Sequence, residues 1–413
     1  MKERKKIKDM LASVAPGFFM VGYVIGTGSV TTMVVAGARY SMSLTWALFL
    51  SCFFTAFLMI GISRLTIVSK KSLLYNFRKN VHPAVGVFMI VALMVTAIAS
   101  IMGITSIATS VVQEWTRPVF GGMGINPVTS AVLLLGILYG LFWFGKHETF
   151  LKFLTVMVGI MAFCFLLTMI IVIPDPFEIA RGMIPRIPQS GEPHIVIAGM
   201  VGTTMAGICL VSRSTVVREK GWQIEDLKEE RRDSYFAMLL TFIISAAIIA
   251  VAAGTLHVKG IYVNDAIEMM HTLEPLVGGA AISVFAIGIL SAAFSSIFPN
   301  MVIFPWLLND YSEKQISLKA PVYRVLVLII AISGLIVPVF GGKPVAIMIA
   351  SQALSPLVMP LLIGVLLYLL NDKKVIGEFK AGWFLNSALA VTFVFSIFMS
   401  IISFQGFLRM LTN

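Results

Sequence analysis

Charge is what this chain has least of. Only 12% of its 413 residues are Asp, Glu, Lys or Arg, against about 25% in an ordinary soluble domain. Too few charges remain to cover a water-facing surface, so a soluble globular fold is excluded. Cysteine is scarce as well. Cys52, Cys164 and Cys209 all lie in apolar stretches, with neither a metal-ligand spacing nor a disulfide framework. The five histidines, His82, His147, His194, His257 and His271, fall between apolar stretches or at their ends, where they read as interfacial packing. The alternating segments of roughly ten residues that mark a membrane β-barrel are missing. So is any nucleophile–base pair, which argues against an enzyme and against a cofactor. The first apolar stretch lacks a small-residue cleavage site, so it reads as a retained helix and not a signal peptide.

What is present is hydrophobic length. Apolar residues make up 58% of the chain, and mean hydropathy is +0.94. They fall in blocks near the roughly 20 residues that a spanning helix needs. Eleven such segments are expected, at 14–40, 44–68, 83–112, 127–145, 149–173, 194–217, 234–257, 276–306, 320–340, 344–370 and 381–408. Short connections between them indicate one compact transmembrane domain over 1–413.

The net charge of +11 is a topology signal and not a nucleic-acid footprint. With the N-terminus inside, the inner segments are 1–14, 64–82, 145–152, 213–233, 309–324 and 371–380, and they hold 24 of the 31 Lys and Arg. The outer side keeps Arg39, Arg117, Arg181, Arg186, Lys259, Lys343 and Arg409. That asymmetry follows the positive-inside rule. It predicts a multi-pass protein of the cell membrane with a cytoplasmic N-terminus and an extracytoplasmic C-terminus. The lipid bilayer is its expected partner, and a monomer its expected state.

Eleven helices place segments 1–5 and 6–10 in opposite orientations, the arrangement of inverted-repeat transporters. Repeat one would run over 14–173, repeat two over 194–370, with an extra helix at 381–408. Such folds predict matching interruptions in helices 1 and 6. Helix 1 contains Gly26-Thr27-Gly28-Ser29, and helix 6 contains Gly202-Thr203-Thr204-Met205-Ala206-Gly207. Glycine flanked by Ser and Thr favours leaving the helix. Backbone groups freed in hydrocarbon must face protein or a watery cavity, and half-helix ends bring partial charges to the same place. Paired breaks at pseudo-symmetric positions therefore predict a solute site at mid-membrane.

The stretch APGFFMVGYVIGTGSVTTMVVAGARYSMSLTW, Ala15 to Trp46, resembles the first helix of the NRAMP family of divalent-metal transporters. GTTMAGICLVSRS (Gly202 to Ser214), FAIGILSAAFSS (Phe285 to Ser296) and Ser351-Gln352 resemble that family's helices 6, 8 and 10. The resemblance spans essentially the whole chain. It implies an all-α integral membrane protein with a LeuT-like 5+5 inverted repeat, broken helices 1 and 6, and alternating access.

The departures from the family are as informative. Its helix 1 signature, Asp-Pro-Gly-Asn, reads Gly26, Thr27, Gly28, Ser29 here. Its helix 6 signature, Met-Pro-His, reads Ala206, Gly207, Ile208. The family's metal-binding Asp, Asn and Met thus become Gly, Ser and Ala. No Asp or Glu stands inside helices 1, 2, 5, 6, 7, 9, 10 or 11, and helix 3 has none before Glu114 at its outer end. A bare divalent cation at mid-membrane without a carboxylate is costly.

These losses predict a neutral site with the metal site gone. Its candidate lining is Tyr23, Gly26, Thr27, Gly28, Ser29, Thr203, Thr204, Ala206, Gly207, Cys209 and Gln352. Hydroxyls, an amide and free backbone groups suit a neutral polar organic solute, a sugar such as glucose first among them, carried without proton coupling. Phe19, Tyr23 and Trp306 would stack on a sugar face. Polyols, amino acids and a Na⁺ site of carbonyls and hydroxyls stay open. The alternative is a divalent metal transporter for Mn²⁺ or Mg²⁺ with relocated ligands. Arg213 reads as one of several topology charges, and the segment IEDLKEERRD as a solvated helix face with i,i+4 charge pairs.

Overall fold

The computed structural model describes residues 15–412 except 145–146, 173–175, 190, 265, 278–279 and 314–319. The basic N-terminal stretch and Lys146, both used to orient the chain, lie outside the described residues, as does the side chain of Phe19. Among those described, every regular element is a helix. Among the described residues, nine helices are long and apolar enough to cross a membrane. The chain is an all-α, multi-pass membrane protein.

The apolar blocks become helices because nothing polar competes for their backbone, and in lipid each N–H and C=O must be satisfied within its own helix. The first block forms two short pieces, α1 (Ala15–Val24) and α2 (Thr27–Tyr40). There follow α3 (Thr45–Ser69), a short amphipathic α4 (Leu73–Asn80), α5 (Pro83–Thr116), α6 (Pro127–Phe144) and α7 (His147–Val172). The sixth block is again split, into α8 (Pro193–Thr204) and α9 (Gly207–Lys220). The second half continues with α10 (Leu227–Ala252), α11 (Ala281–Met301), α12 (Ile303–Ser312), α13 (Pro321–Ile332), α14 (Pro344–Ala353), α15 (Ser355–Asn371) and α16 (Trp383–Thr412). Proline opens α5, α8, α13 and α14, where its missing N–H has no intrahelical partner to lose.

The four half-helices sit at the centre. α2 packs on α10, α8 lies against α14 and α16, and α5 is clasped between α11 and α14. α2 and α8 are buried almost all round, whereas α6 and α13 keep broad apolar faces exposed for lipid.

One contact shows how closely the centre is packed. Pro356 has no N–H to give the Gln352 carbonyl, the bond a regular helix would make there. α14 and α15 meet at Leu354. A Cβ added at Gly202 would collide with that Gln352 carbonyl oxygen. Only glycine lets α8 approach so near.

The contact between α9 and the start of α10 corrects two expectations. Arg213, on α9, is fully buried. Its guanidinium donates to Asp233 Oδ2 (2.8 Å), Glu230 Oε1 (3.1 Å), Ser63 Oγ (3.0 Å) and Ser234 Oγ (3.2 Å), and it stacks on Trp222 at 5.4 Å. It is the hub of an ion cluster and not merely a topology charge. The segment read as a solvated face is solvated only in part. Glu229, Arg231 and Arg232 are exposed, but Glu230, Asp233 and Ser234 form an inward stripe. Their i, i+3, i+4 spacing puts all three on one side of α10.

Candidate functional site

Both helix breaks form, each within a residue or two of its expected position. In the first, the Ile25 N–H still donates to the Val21 carbonyl (2.9 Å), and the next turn begins with the Val30 N–H donating to the Gly26 carbonyl (3.0 Å). Gly26 itself is extended, with φ −102° and ψ −175°. In the second, Met205 donates to Val201 (2.7 Å) and Leu210 donates to Ala206 (3.1 Å), with Ala206 extended at φ −69° and ψ 124°. Each break leaves last-turn carbonyls on one piece and first-turn N–H groups on the next without helical partners.

A cavity of about 60 Å³ lies at these breaks. Of the eleven expected lining residues it gathers eight: Tyr23, Gly26, Gly28, Ser29, Thr203, Ala206, Cys209 and Gln352. Thr27, Thr204 and Gly207 are not brought to it. The Thr27 hydroxyl donates to the Ile289 carbonyl (3.4 Å) and Thr204 bonds back to Met200 (3.2 Å). Gly207 packs beside Leu93, whose Cδ2 would lie 2.6 Å from an added Cβ. Trp306 is on α12 and largely exposed, outside the lining.

Sequence reasoning missed Thr96, Ser100 and Ile104 of α5, Ser296 and Asn300 of α11, and Ser355 of α15, together with Val24 and Ile208. Thr96/Ser100 and Ser296/Asn300 are i,i+4 pairs, so each stands on a single helix face. That spacing was the available signal.

The lining contains no carboxylate and no histidine. Among the described residues no three His, Cys, Asp or Glu side chains gather into a cluster suited to an ion. What the cavity offers is neutral oxygen and one thiol. The Gln352 amide nitrogen reaches Ser100 Oγ and Ser351 Oγ, each at 3.4 Å. Asn300 donates to the Ser296 carbonyl (2.8 Å). The Ser29 hydroxyl is buried and has no hydrogen-bond partner. The Tyr23 phenol lies beside Cys209 and within reach of Ser212.

Away from the breaks, Asp310 near the carboxyl end of α12 ties three elements together. Its carboxylate accepts the Leu74 backbone N–H (2.9 Å) and the Ser214 hydroxyl (3.2 Å), and its carbonyl accepts Ser72 Oγ. Burial pushes this carboxyl up to about 7, because the charged form loses hydration there.

The family model described as natural resistance-associated macrophage protein-like matches residues 17–405. The chain is 26% identical over 394 residues to a divalent metal cation transporter, MntH, of Bradyrhizobium diazoefficiens, covering 90% of this chain and 84% of that one. It is 26% identical over 401 residues to the MntH of Nostoc, covering 92% and 87%. A crystal structure of the Eremococcus coleocola manganese transporter aligns with a TM-score of 0.73 at 17% identity, over 96% of this chain and 86% of that one. A nucleobase-cation-symport-1 family transporter aligns at 0.56 and 15% identity. The fold is thus the LeuT-like transporter fold that the family resemblance implied.

These findings overturn the expectation of a neutral solute, a sugar, as cargo and partner, and with it the idea that the metal site is lost. The relatives are named as carriers of divalent metal cations. The cavity volume agrees with the correction. The cavity, about 60 Å³, is smaller than the roughly 300–1,000 Å³ that pockets for organic ligands span. The neutral lining misled because side-chain charge is only one source of cation ligands; carbonyls at half-helix ends are another.

Proposed function

The chain belongs to the natural resistance-associated macrophage protein-like family, and on that premise we propose that it is a secondary transporter of divalent metal cations, binding a partly hydrated ion at the double break. The observation that carries this is the cavity itself: small, polar, and bordered by Tyr23 and Val24 at the carboxyl end of α1 and Thr203 at the carboxyl end of α8. Carboxyl ends carry negative partial charge from unpaired carbonyls. Two of them meeting at one point favour a cation, as in other transporters with discontinuous helices. Ser29, Asn300 and Gln352 add hard oxygen donors, of the kind Mg²⁺ and Mn²⁺ accept while keeping some waters.

Alternating access would come from one repeat, about 14–173, rocking against the other, about 194–370. We orient the chain with the Lys- and Arg-rich ends in the cytoplasm, as the positive-inside distribution supports.

Ligand-linked stability tests the site. A ligand that binds only the folded state stabilises it by about 2.7 kcal/mol at 100 times its Kd. Mn²⁺ is expected to raise the detergent-solubilised protein's unfolding temperature in a saturable way, and glucose to leave it unchanged. A saturable shift from glucose with none from Mn²⁺ would refute the proposal.

A further inference from the structure

A second cavity, of about 190 Å³, lies where the carboxyl ends of α3 and α9 meet the chain leading into α10. It shares no residue with the cavity at the breaks. Ile67, Val217 and Trp222 pack together as its apolar floor. Lys70 and Arg218 stand in its lining, both exposed. Lys70 closes α3 in the left-handed region, at φ 55°, where glycine is the usual residue. Among the described residues its ammonium has neither a hydrogen bond nor an ion pair. Arg218 lies 3.4 Å from Glu313 Oε1, but that carboxylate already holds Lys71 Nζ (2.6 Å) and the Ser72 N–H (3.0 Å). Asp226 instead accepts the Gln223 N–H (2.9 Å). Three cations, Lys70, Lys71 and Arg218, thus share one ion-paired carboxylate among the described residues. The carboxyl ends of α3 and α9 add only about half a negative charge each.

The depth of this cavity narrows what it can hold. Phe57 is the midpoint of α3. At a rise of 1.5 Å per residue, Thr66 and Lys70 lie about 14 and 20 Å beyond it along the axis. The hydrocarbon core reaches roughly 15 Å from the bilayer midplane. With α3 centred in the bilayer, the apolar floor sits at the edge of the acyl region and the cations among the headgroups. We infer that this cavity binds the phosphate of an anionic phospholipid, with Lys70 and Arg218 on the phosphate oxygens and Trp222 beneath the glycerol end of the acyl chains. Lys and Arg are the side chains that hold phosphate with charge-assisted hydrogen bonds. Tryptophan favours the membrane interface, where its ring meets acyl chains and headgroups together. The orientation proposed above puts the cavity in the cytoplasmic leaflet, whose anionic lipids attract such cations. A bound lipid would bridge the end of the half-helix α9 to the end of α3. Binding there does not depend on which solute crosses at the breaks.

The test uses the full-length protein in a neutral detergent, titrated with phosphatidylglycerol, phosphatidylcholine or inorganic phosphate and read by native mass spectrometry. Wild type should retain one phosphatidylglycerol in preference to phosphatidylcholine. Lys70→Gln with Arg218→Gln should weaken that retention roughly 25-fold, since each cation near an anionic surface changes affinity about fivefold. Lys70→Gln alone breaks no ion pair and should weaken it about fivefold, which keeps the test valid if the double variant misfolds. Lys373→Gln with Lys374→Gln removes the same charge from another exposed basic stretch and should change little. Retention by the Lys70/Arg218 variants equal to wild type would overturn the assignment. So would an equal loss in the Lys373/Lys374 variant, because the attraction would then belong to the basic surface at large. Inorganic phosphate bound as tightly as phosphatidylglycerol would overturn the lipid as occupant and leave a free phosphate in its place.

Discussion

Replacing Arg213 with Met removes the hub of the buried ion cluster while keeping most of its apolar length. In the wild type one guanidinium serves Asp233 at 2.8 Å and Glu230 at 3.1 Å, with neither carboxylate more than 1% exposed. Losing the cation leaves two carboxylates in a dry site, facing each other across one turn of α10. Breaking a buried ion pair from one side costs about 3–5 kcal/mol. The pair of hydroxyl partners, Ser63 and Ser234, cannot supply the missing charge, so the upper part of that range is expected. Thermal unfolding followed by intrinsic fluorescence in detergent would show a large drop in midpoint for Arg213→Met. A triple variant, Arg213→Met with Glu230→Gln and Asp233→Asn, removes the charges together. It should recover most of the loss, since uncharged replacements of whole buried clusters are often neutral or better. A single variant within about 1 kcal/mol of wild type, the worth of an exposed pair, would refute the reasoning, as would a triple variant no better than the single one.

Three further outcomes follow from other contacts. Gly202→Ala sets a Cβ against the Gln352 carbonyl, so overpacking of about 1–3 kcal/mol should lower the unfolding midpoint and slow transport; a wild-type midpoint would show that α8 does not approach α14 so closely. Gln352→Ala or Ser29→Ala removes an oxygen donor from the cavity lining and should raise the KM for Mn²⁺ roughly 10-fold, with unfolding little changed; an unchanged KM in both would place the ion elsewhere. Asp310 lies outside the spanning segments, and its carboxyl is raised from 3.8 to about 7. Between those values the folded state binds more protons than the unfolded state, so stability falls as pH rises, by at most about 1.4 kcal/mol per unit. Unfolding midpoints measured from pH 4 to pH 7 should show that slope in wild type and lose it in Asp310→Asn; an identical profile in the variant would contradict the assignment.

Much of the architecture was legible before any coordinates. Hydrophobic length marked segments whose ends agree with α3, α5, α6 and α16 to within a few residues, because lipid permits few alternatives to a helix. Gly26 and Ala206 were legible as break points, since composition and pseudo-symmetry agreed on them. The proposed cargo was legible only as the alternative reading. Side-chain charge is visible in a sequence, but carbonyls at helix ends can take the proposed ligand role only when α1 and α8 point their carboxyl ends at one place. The volume of the cavity was equally hidden, because it is set by long-range packing: Met348 and Gln352 close in on Gly28, at 2.6 and 2.9 Å from where its Cβ would stand. The Arg213 cluster was missed for a related reason. Glu230 and Asp233 sit among exposed charges in sequence, and only the 3.6-residue period separates the inward stripe from the wet face.

Flux across a bilayer tests metal transport most directly. With the protein reconstituted in liposomes and an inside-negative potential imposed, Mn²⁺ influx should be saturable, should exceed that of empty liposomes, and should be abolished when Gly28→Leu fills the cavity. Saturable uptake of radiolabelled glucose without any Mn²⁺ influx would contradict it.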